Sequence, residues 1–510
     1  MEDKYSAPPS LPQHLQHVRI LRIYSHGVEG CLEALAGVLD STETTSTHSA
    51  TADPPRRMTN LRKVTVFDTY YGNRMYSTVA LDTVINILSN NSGITHLELQ
   101  MYTELEGYSI DPRLLDIIRT GLPRLERLIV SRASSFPIAQ AVEALKICLG
   151  HPSLTDVQFY TDSERRFHSR SDNPVHKALF GSLLEFLDGT HKAGAQLQTV
   201  DGCRLTSLAL PHIRGYPRSF LLPLLRTYLP KLERLQVPVL DGPYEGELEK
   251  VIAGHCSNLC HIAYTFPIYG DQNSSVIKAV IRGCARWNGL KSIRIFGYEH
   301  EYDKDSDRGL VETLVEYHSK TLESVELQAW NCLGGAFRLG PIFTGCPKLK
   351  SFKVLPLTKS MLNSMYFSHL PAEPWVFQGL KELCLHFHEK DQYSRSNTAE
   401  QEREARGRMF KQIGGLIHLE ILALDFYGYY DEYGWDLDDS MRSEWLKEIA
   451  GLDKLRYLYM PSDYWSRRHL STIIDSSWPR LERVSARHYN SADFRWLKKK
   501  RPWLKIGDPE

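Results

Sequence analysis

Two short runs begin the way a zinc-protease helix begins. Such a helix needs two histidines four residues apart to grip the metal, with a glutamate beside the first as general base. His388-Glu389 and His300-Glu301 supply the first half, but Gln392 and Lys304 stand where the second histidine is required. Asp303, Asp305 and Asp307 alternate like the opening of a calcium loop, yet Arg308 replaces the turn glycine and Leu314 the closing bidentate glutamate. Those carboxylates read better as the cap of a helix starting near Arg308, where the helix dipole favours negative charge. Cys256 and Cys260 lie four apart with no second pair or histidine couple to complete a zinc site. The chain has no GxSxG elbow, no P-loop and no GxGxxG. The sequence therefore nominates no catalytic residue, no metal ligand and no cofactor.

Its surface chemistry is of another kind. Aromatic and acidic residues gather where apolar runs end: Tyr70 and Tyr71, Tyr298 and Tyr302, and above all the stretch Asp425–Asp439. That stretch carries Asp425, Tyr427, Tyr429, Tyr430, Asp431, Glu432, Tyr433 and Trp435, with six carboxylates in all. Tyr and Trp offer large contact area at low entropic cost and are enriched in binding hot spots. An acidic surround selects a protein partner with a basic segment and steers its approach. A second reading stays open, in which these rings pack on neighbouring loops as a satellite core.

Composition narrows the partner class. The chain has 510 residues, with 61 Lys+Arg against 61 Asp+Glu, so it lacks the broad positive field of a non-specific nucleic-acid binder. No window of 18 uncharged apolar residues occurs, which argues against a membrane span. Met1-Glu2-Asp3-Lys4 with Pro8-Pro9 lacks the pattern of a secretory signal. Nine cysteines without a CxxC pair read as reduced thiols, hence an intracellular protein of the cytoplasm, the nucleus or both. Lys498-Lys499-Lys500-Arg501-Pro502 reads as the basic last turn of a terminal helix in preference to a nuclear-import run, with Trp496, Trp503 and Leu504 as a packed cap beside it.

What positions these loops is a repeat. Leu122-Pro-Arg-Leu-Glu-Arg-Leu-Ile-Val130, Leu229-Pro-Lys-Leu-Glu-Arg-Leu-Gln-Val237 and Trp478-Pro-Arg-Leu-Glu-Arg-Val-Ser-Ala486 are near copies of one phrase, apolar-x-x-Leu-x-x-apolar-x-apolar. The spacing recurs from Leu15/Val18/Leu21/Ile23 to the Trp478 copy, in 15 units mostly 26 to 33 residues apart. Leucine-rich repeats run about 20–29 residues, each giving a short strand and a helix or helical turn. Between the phrases, Leu81/Val84/Ile85/Leu88 and Ile277/Val280/Ile281/Cys284 fall on helical stripes, and Asp111-Pro112 opens a helix over 113–120 as N-cap and N1. The fold class is thus an α/β leucine-rich-repeat solenoid of about 15 irregular repeats. It is expected as a curved horseshoe with a parallel sheet on its concave side and helices on its convex side. Residues 1–14 form a tail and 15–508 one repeat domain, with insertions near 40–57, 160–200 and 387–412. Concave positions are mixed in type, with Arg22, Thr65, Glu98, Gln158, Gln236, Arg294, Glu326, Lys353 and Tyr459.

Units such as Gly345-Cys346-Pro-Lys-Leu349-Lys-Ser-Phe352-Lys-Val354 and His255-Cys256-Ser-Asn-Leu259-Cys-His-Ile262 resemble the cysteine-containing repeats of F-box/leucine-rich-repeat proteins. With the Trp478-Pro-Arg-Leu-Glu-Arg-Val ending, residues 15 to about 506 are similar to the large fungal sets of that family. The resemblance implies a substrate receptor of an SCF-type ubiquitin ligase. Leu11-Pro12 begins an F-box-like phrase, but the chain enters its first repeat at Val18–Ile23 and leaves no room for the module. Adaptor and cullin are then partners only if an F-box is supplied outside this chain. The runner-up reading is a stand-alone leucine-rich-repeat protein, in the manner of ribonuclease inhibitor, that binds a partner without recruiting a ligase.

Overall fold

The computed structural model describes residues 18–24, 60–68, 78–101, 111–132, 138–161, 178–179, 181–183, 185, 203–210, 218–237, 245–265, 274–298, 308–330, 339–356, 370–388, 399–427, 439–460, 474, 477–485 and 491–507. Among them are strands β1 (Ile20–Tyr24), β2 (Lys63–Asp68), β3 (His96–Met101), β4 (Arg127–Arg132), β5 (Asp156–Thr161), β6 (Ser207–Ala209), β7 (Arg234–Val237), β8 (His261–Thr265), β9 (Ser292–Tyr298), β10 (Ser324–Trp330), β11 (Ser351–Pro356), β12 (Glu382–His388), β13 (Ile421–Tyr427), β14 (Tyr457–Tyr459), β15 (Arg483–Ser485) and β16 (Lys505–Gly507). Strand order in the sheet is the order of the chain.

The helices between them are α1 (Thr78–Ser89), α2 (Pro112–Asp116), α3 (Ile138–Gly150), α4 (Arg218–Pro223), α5 (Glu245–His255), α6 (Ser274–Cys284), α7 (Arg308–His318), α8 (Gly340–Gly345), α9 (Ala399–Gly414), α10 (Asp439–Ile449) and α11 (Ser491–Lys500). Sequential strands in parallel, with helical returns, make this an α/β leucine-rich-repeat solenoid. It divides into two compact units, residues 1–243 with 254–258 and residues 244–253 with 259–510.

One backbone device recurs in both units. The carbonyl just before most of the strands accepts two N–H groups from the next repeat. Arg19 O takes Arg62 N at 2.9 Å and Lys63 N at 3.1 Å, and Arg62 O takes Thr95 N and His96 N. In the second unit Lys291 O, Glu323 O, Lys350 O, Lys381 O, Glu420 O and Arg456 O each do the same, up to Glu482 N and Arg483 N. The Leu immediately before the accepting residue is driven inward. Leu61, Leu125, Leu322, Leu349, Leu380, Leu419 and Leu455 are all fully buried. The strand then alternates, so in β12 Leu383, Leu385 and Phe387 bury on the helix face while Glu382 and His386 lie on the other.

The helical segments close this core. Ile277, Val280, Ile281 and Cys284 of α6 are fully buried, the stripe expected for that helix. In α1 the buried positions among the described side chains are Thr83, Val84, Ile87 and Leu88, with Ile85 half-buried, so Val84 and Leu88 of the expected stripe face the core and Ile87 joins them in place of Ile85. Asp111 caps α2 as expected, its carboxylate accepting from Arg113 N at 2.8 Å with Pro112 in the first turn. The helix then widens into a π-helical turn, Ile117–Gly121, and the same turn, Leu224–Tyr228, precedes the sister phrase at Leu229. Between β11 and β12, where residues 370–381 hold no helix, Phe343, Phe352, Trp375 and Phe377 pack with ring centroids 4.6 to 5.6 Å apart. Gly414 lets α9 run against α10, since a Cβ there would collide with the Glu448 carbonyl.

The position three or four residues before the phrase's buried apolar residue accepts polar side chains that bond backbone. His318 is 1% exposed; its Nδ1 accepts from Leu290 N at 3.0 Å and its Nε2 donates to Ile281 O at 2.8 Å. His151 repeats the arrangement, with Ser153 N on Nδ1 and Leu122 O on Nε2. Asn91 donates to Ile87 O at 2.6 Å. Cys256 and Cys346 fill equivalent slots and are fully buried. Burial pushes both thiols up to about 12, so they act as apolar filler.

The structure corrects three expectations drawn from sequence. A sixteenth strand, β16, follows the fifteen units, behind a phrase whose slot holds Arg501 in place of an apolar residue. Trp287, expected in a core slot, is 41% exposed, with its Nε1 donating to Ile252 O at 3.3 Å. Leu504 is buried, but Trp503 is 64% exposed and is no part of a packed cap.

Two outcomes follow from this packing. Leu383→Ala removes a fully buried β12 side chain and should cost about 2–5 kcal/mol of stability, read from the denaturant midpoint. Burial holds His318 and His151 below the usual histidine pKa despite their backbone acceptors. The unfolded chain therefore binds protons that the folded chain refuses, so stability falls as pH drops through about 6.5. The thermal midpoint should be lower at pH 5.5 than at pH 7.5, and that difference should shrink in the His151→Asn, His318→Asn double variant.

Candidate functional site

The face of the sheet away from the helices carries the polar half of each strand. In the second unit, strand register sets Arg294, Glu326, Lys353, Cys384, Ala423 and Tyr459 in one row across β9 to β14. In the first unit Arg22, Thr65, Glu98, Ile129, Gln158, Ala209 and Gln236 form the equivalent row across β1 to β7. All nine positions expected on the concave side thus share a register level within their unit.

The charges in these rows are tied to one another. Arg294 Nη2 lies 2.7 Å from Glu326 Oε2, and the guanidinium sits 5.5 Å from the Phe296 ring centroid. Lys353 Nζ is 2.7 Å from Glu382 Oε1, and Ser351 Oγ donates to Glu382 Oε2 at 2.8 Å. In the first unit Gln100 Nε2 donates to Glu98 at 2.7 Å and Lys63 stands 3.6 Å from the same carboxylate. Arg127 Nε lies 3.1 Å from Asp156, whose two oxygens also accept from Gln158 Nε2. Glu326 is only 8% exposed, so its pairing with Arg294 offsets the desolvation of its charge.

One step further along the strands lies Asp425, the root of the acidic aromatic stretch. Its Oδ2 is 2.9 Å from His386 Nδ1, and its Oδ1 accepts from Tyr459 OH at 3.0 Å. Parallel pairing of β12 and β13 places His386 directly beside Asp425. His386 is 2% exposed and Tyr459 5%, while Asp425 is half-buried. A carboxylate held from both sides has a fixed direction, which suits recognition. Cys384, nearby, is 8% exposed, and burial with the Glu382 charge pushes its thiol up to about 12. It is no nucleophile at neutral pH.

Of the residues expected from sequence, Asp425 is the one whose side chain the structure describes. Tyr298 and Tyr427 end β9 and β13, with side chains outside the described set. Tyr70, Tyr71, Tyr302, Tyr429, Tyr430, Asp431, Glu432, Tyr433 and Trp435 lie outside the described residues, as do Asp303, Asp305 and Asp307. Sequence reasoning missed His386 as the partner of Asp425. Both sit six residues after the Leu of their phrases, Leu380 and Leu419, and that shared offset is the signal that could have found it. Among the described residues no group of three or more His, Cys, Asp or Glu is placed to hold a metal. Seven described cysteines carry free thiols, and no described helix is long and apolar enough to cross a membrane.

No protein-family model matches the chain, and no curated protein does. Among solved structures it is similar to the leucine-rich repeat-containing protein LegL7 from Legionella pneumophila. The identity is 14%, over 69% of this chain and 93% of that one, with a TM-score of 0.35.

The Asp425 cluster has a direct energetic test. Asp425→Ala takes the acceptor from the Tyr459 hydroxyl and the neighbouring carboxylate from His386 and should cost about 1–3 kcal/mol, whereas Tyr459→Phe should cost about 0.5–1.5 kcal/mol. Denaturant unfolding of both single variants and the double should show non-additive losses, because the two residues share one bond.

Proposed function

We propose that this chain is a non-enzymatic protein-recognition scaffold that takes a protein partner on the strand face of its second unit. In this reading it is intracellular and serves as the substrate-receptor arm of an SCF-type ubiquitin ligase. The observation that carries the recognition role is the fixed root of the acidic aromatic stretch. Asp425 is clamped by His386 and Tyr459, and the row beside it presents charges already held in place by ion pairs. A preorganised polar face of this kind binds with little ordering cost. The acidic character of residues 425–439 favours a basic segment on the partner. The ligase role is supported by the likeness of the Cys256 and Cys346 phrases to F-box/leucine-rich-repeat proteins. It calls for an F-box supplied from outside residues 1–510, through which adaptor and cullin would join.

The test is affinity purification of the full chain from its own cells, with mass spectrometry of what is retained, for wild type and for the Tyr429→Ala, Tyr430→Ala, Trp435→Ala variant. The expected result is a stoichiometric partner that the variant loses while its melting temperature stays unchanged. Recovery of ligase adaptor and cullin with that partner upholds the receptor role; a partner retained without them leaves a scaffold that recruits no ligase. A collapse in the variant's melting temperature would show that those rings are core, and the recognition reading of this stretch would fall.

A further inference from the structure

The edge of the second unit from which its strands start carries two rows of side chains, one on each side of the buried Leu of every phrase. After the Leu come Glu420, Arg456 and Glu482; before it come Lys454, Arg480 and Trp503. These six residues, with Pro479 and Leu481, line an open cleft of about 590 Å³.

The two rows differ in how their charges are used. Arg456 grips Glu482 with two bonds, Nε to Oε1 at 2.8 Å and Nη2 to Oε2 at 3.0 Å. Glu420 is 3.1 Å from Lys381. That wall is close to neutral. On the other wall Lys454 Nζ lies 2.7 Å from His418 Nδ1, and no carboxylate among the described residues pairs with Lys454 or Arg480. Beside them Trp503 leaves 64% of its surface in solvent, although Leu504, next in sequence, is fully buried. Two cations with no carboxylate partner among the described residues and an exposed indole therefore stand in line on three successive repeats.

We propose that this cleft is a docking site for an acidic peptide segment of a partner protein, separate from the strand face of the proposed recognition site. Charge complementarity selects the occupant: carboxylates would face Lys454 and Arg480, and an apolar side chain would lie on Trp503. Neighbouring strands are about 4.8 Å apart, so three repeats span roughly 10 Å, about three residues of extended chain. The Glu482–Arg456 pair opposite repels a basic segment no more than an acidic one, so the polarity of the site comes from the Lys454 wall. Its preference is opposite in sign to that of the acidic stretch 425–439, which lets the two surfaces take different segments.

The experiment measures fluorescence anisotropy of a labelled acidic peptide bearing one central leucine against the full chain, beside a peptide with lysine in place of each carboxylate. The acidic probe should bind saturably below about 1 mM and weaken as salt rises from about 0.05 to 0.3 M, and the lysine probe should not bind. Lys454→Glu with Arg480→Glu should weaken binding at least tenfold, and Trp503→Ala by about threefold to tenfold. Thermal midpoints should be unchanged in these variants, and Tyr429→Ala should leave the affinity as it is. Equal binding of the two probes, absence of saturable binding by the acidic one, or indifference to the charge reversals would overturn the proposal. Loss on Tyr429→Ala alone would assign the peptide to the other surface and overturn it equally.

Discussion

The structure depends on one backbone constraint: in most repeats a single carbonyl before the strand receives two consecutive N–H groups from the following repeat. Lys381 O, for example, takes Glu420 N at 2.8 Å and Ile421 N at 2.9 Å. A doubly used acceptor fixes both the start and the register of the next strand, because a slip by one residue would break both bonds and turn the side-chain alternation over. The Leu before the accepting residue then has one place to go, and so do the core residues of the strand. The intervening segments can vary in length and conformation because the register is reset at every repeat. The π-helical turns, the helix-free aromatic packing at Trp375 and the long α9 all tie into the same ladder.

The ladder also sets where polar groups can be buried. The segment leading into each phrase leaves N–H and carbonyl groups that the strand does not satisfy. His318 and His151 answer that need from inside the core, each bonding two backbone groups, and Asn91 answers it in part by donating to Ile87 O. In the last repeat Arg501 does so most fully, its guanidinium donating to Trp478 O, Ser477 O and Ile474 O. Trp478 itself takes a left-handed backbone, φ 49°, and its indole N–H reaches Ile449 O at 2.9 Å. Such substitutions keep the repeat geometry while erasing the apolar pattern that would announce it.

That is why the fold is legible in the sequence and its details less so. Fifteen phrases can be read because their apolar residues recur at fixed offsets, and the strands lie where those offsets put them. β16 escapes the pattern because Arg501 occupies the slot where the phrase calls for an apolar residue. Hydrophobicity alone would put Trp287 and Trp503 inside, whereas the structure exposes both, one holding Ile252 O and the other flanking a cleft. Asp425 stands out by its company in sequence. Its partners His386 and Tyr459 are 39 and 34 residues away, and only strand register brings them together. Periodicity reports which face a residue occupies; it is silent on which neighbour it meets across the sheet.

The residues that follow the buried Leu carry an alternating sign that gives each repeat an identity. After the uncharged Cys260, they run along the second unit as Lys291, Glu323, Lys350, Lys381, Glu420, Arg456, Glu482 and Lys505, with Lys350–Glu323, Lys381–Glu420 and Arg456–Glu482 in contact. Each repeat is keyed to its neighbour like a tooth of alternating polarity. Doubling one repeat in the gene would set like against like, Arg456 beside a second Arg456, whereas doubling an adjacent pair would keep the alternation. Lys350 beside Lys381, ahead of β11 and β12, is the place along this run where like signs already meet.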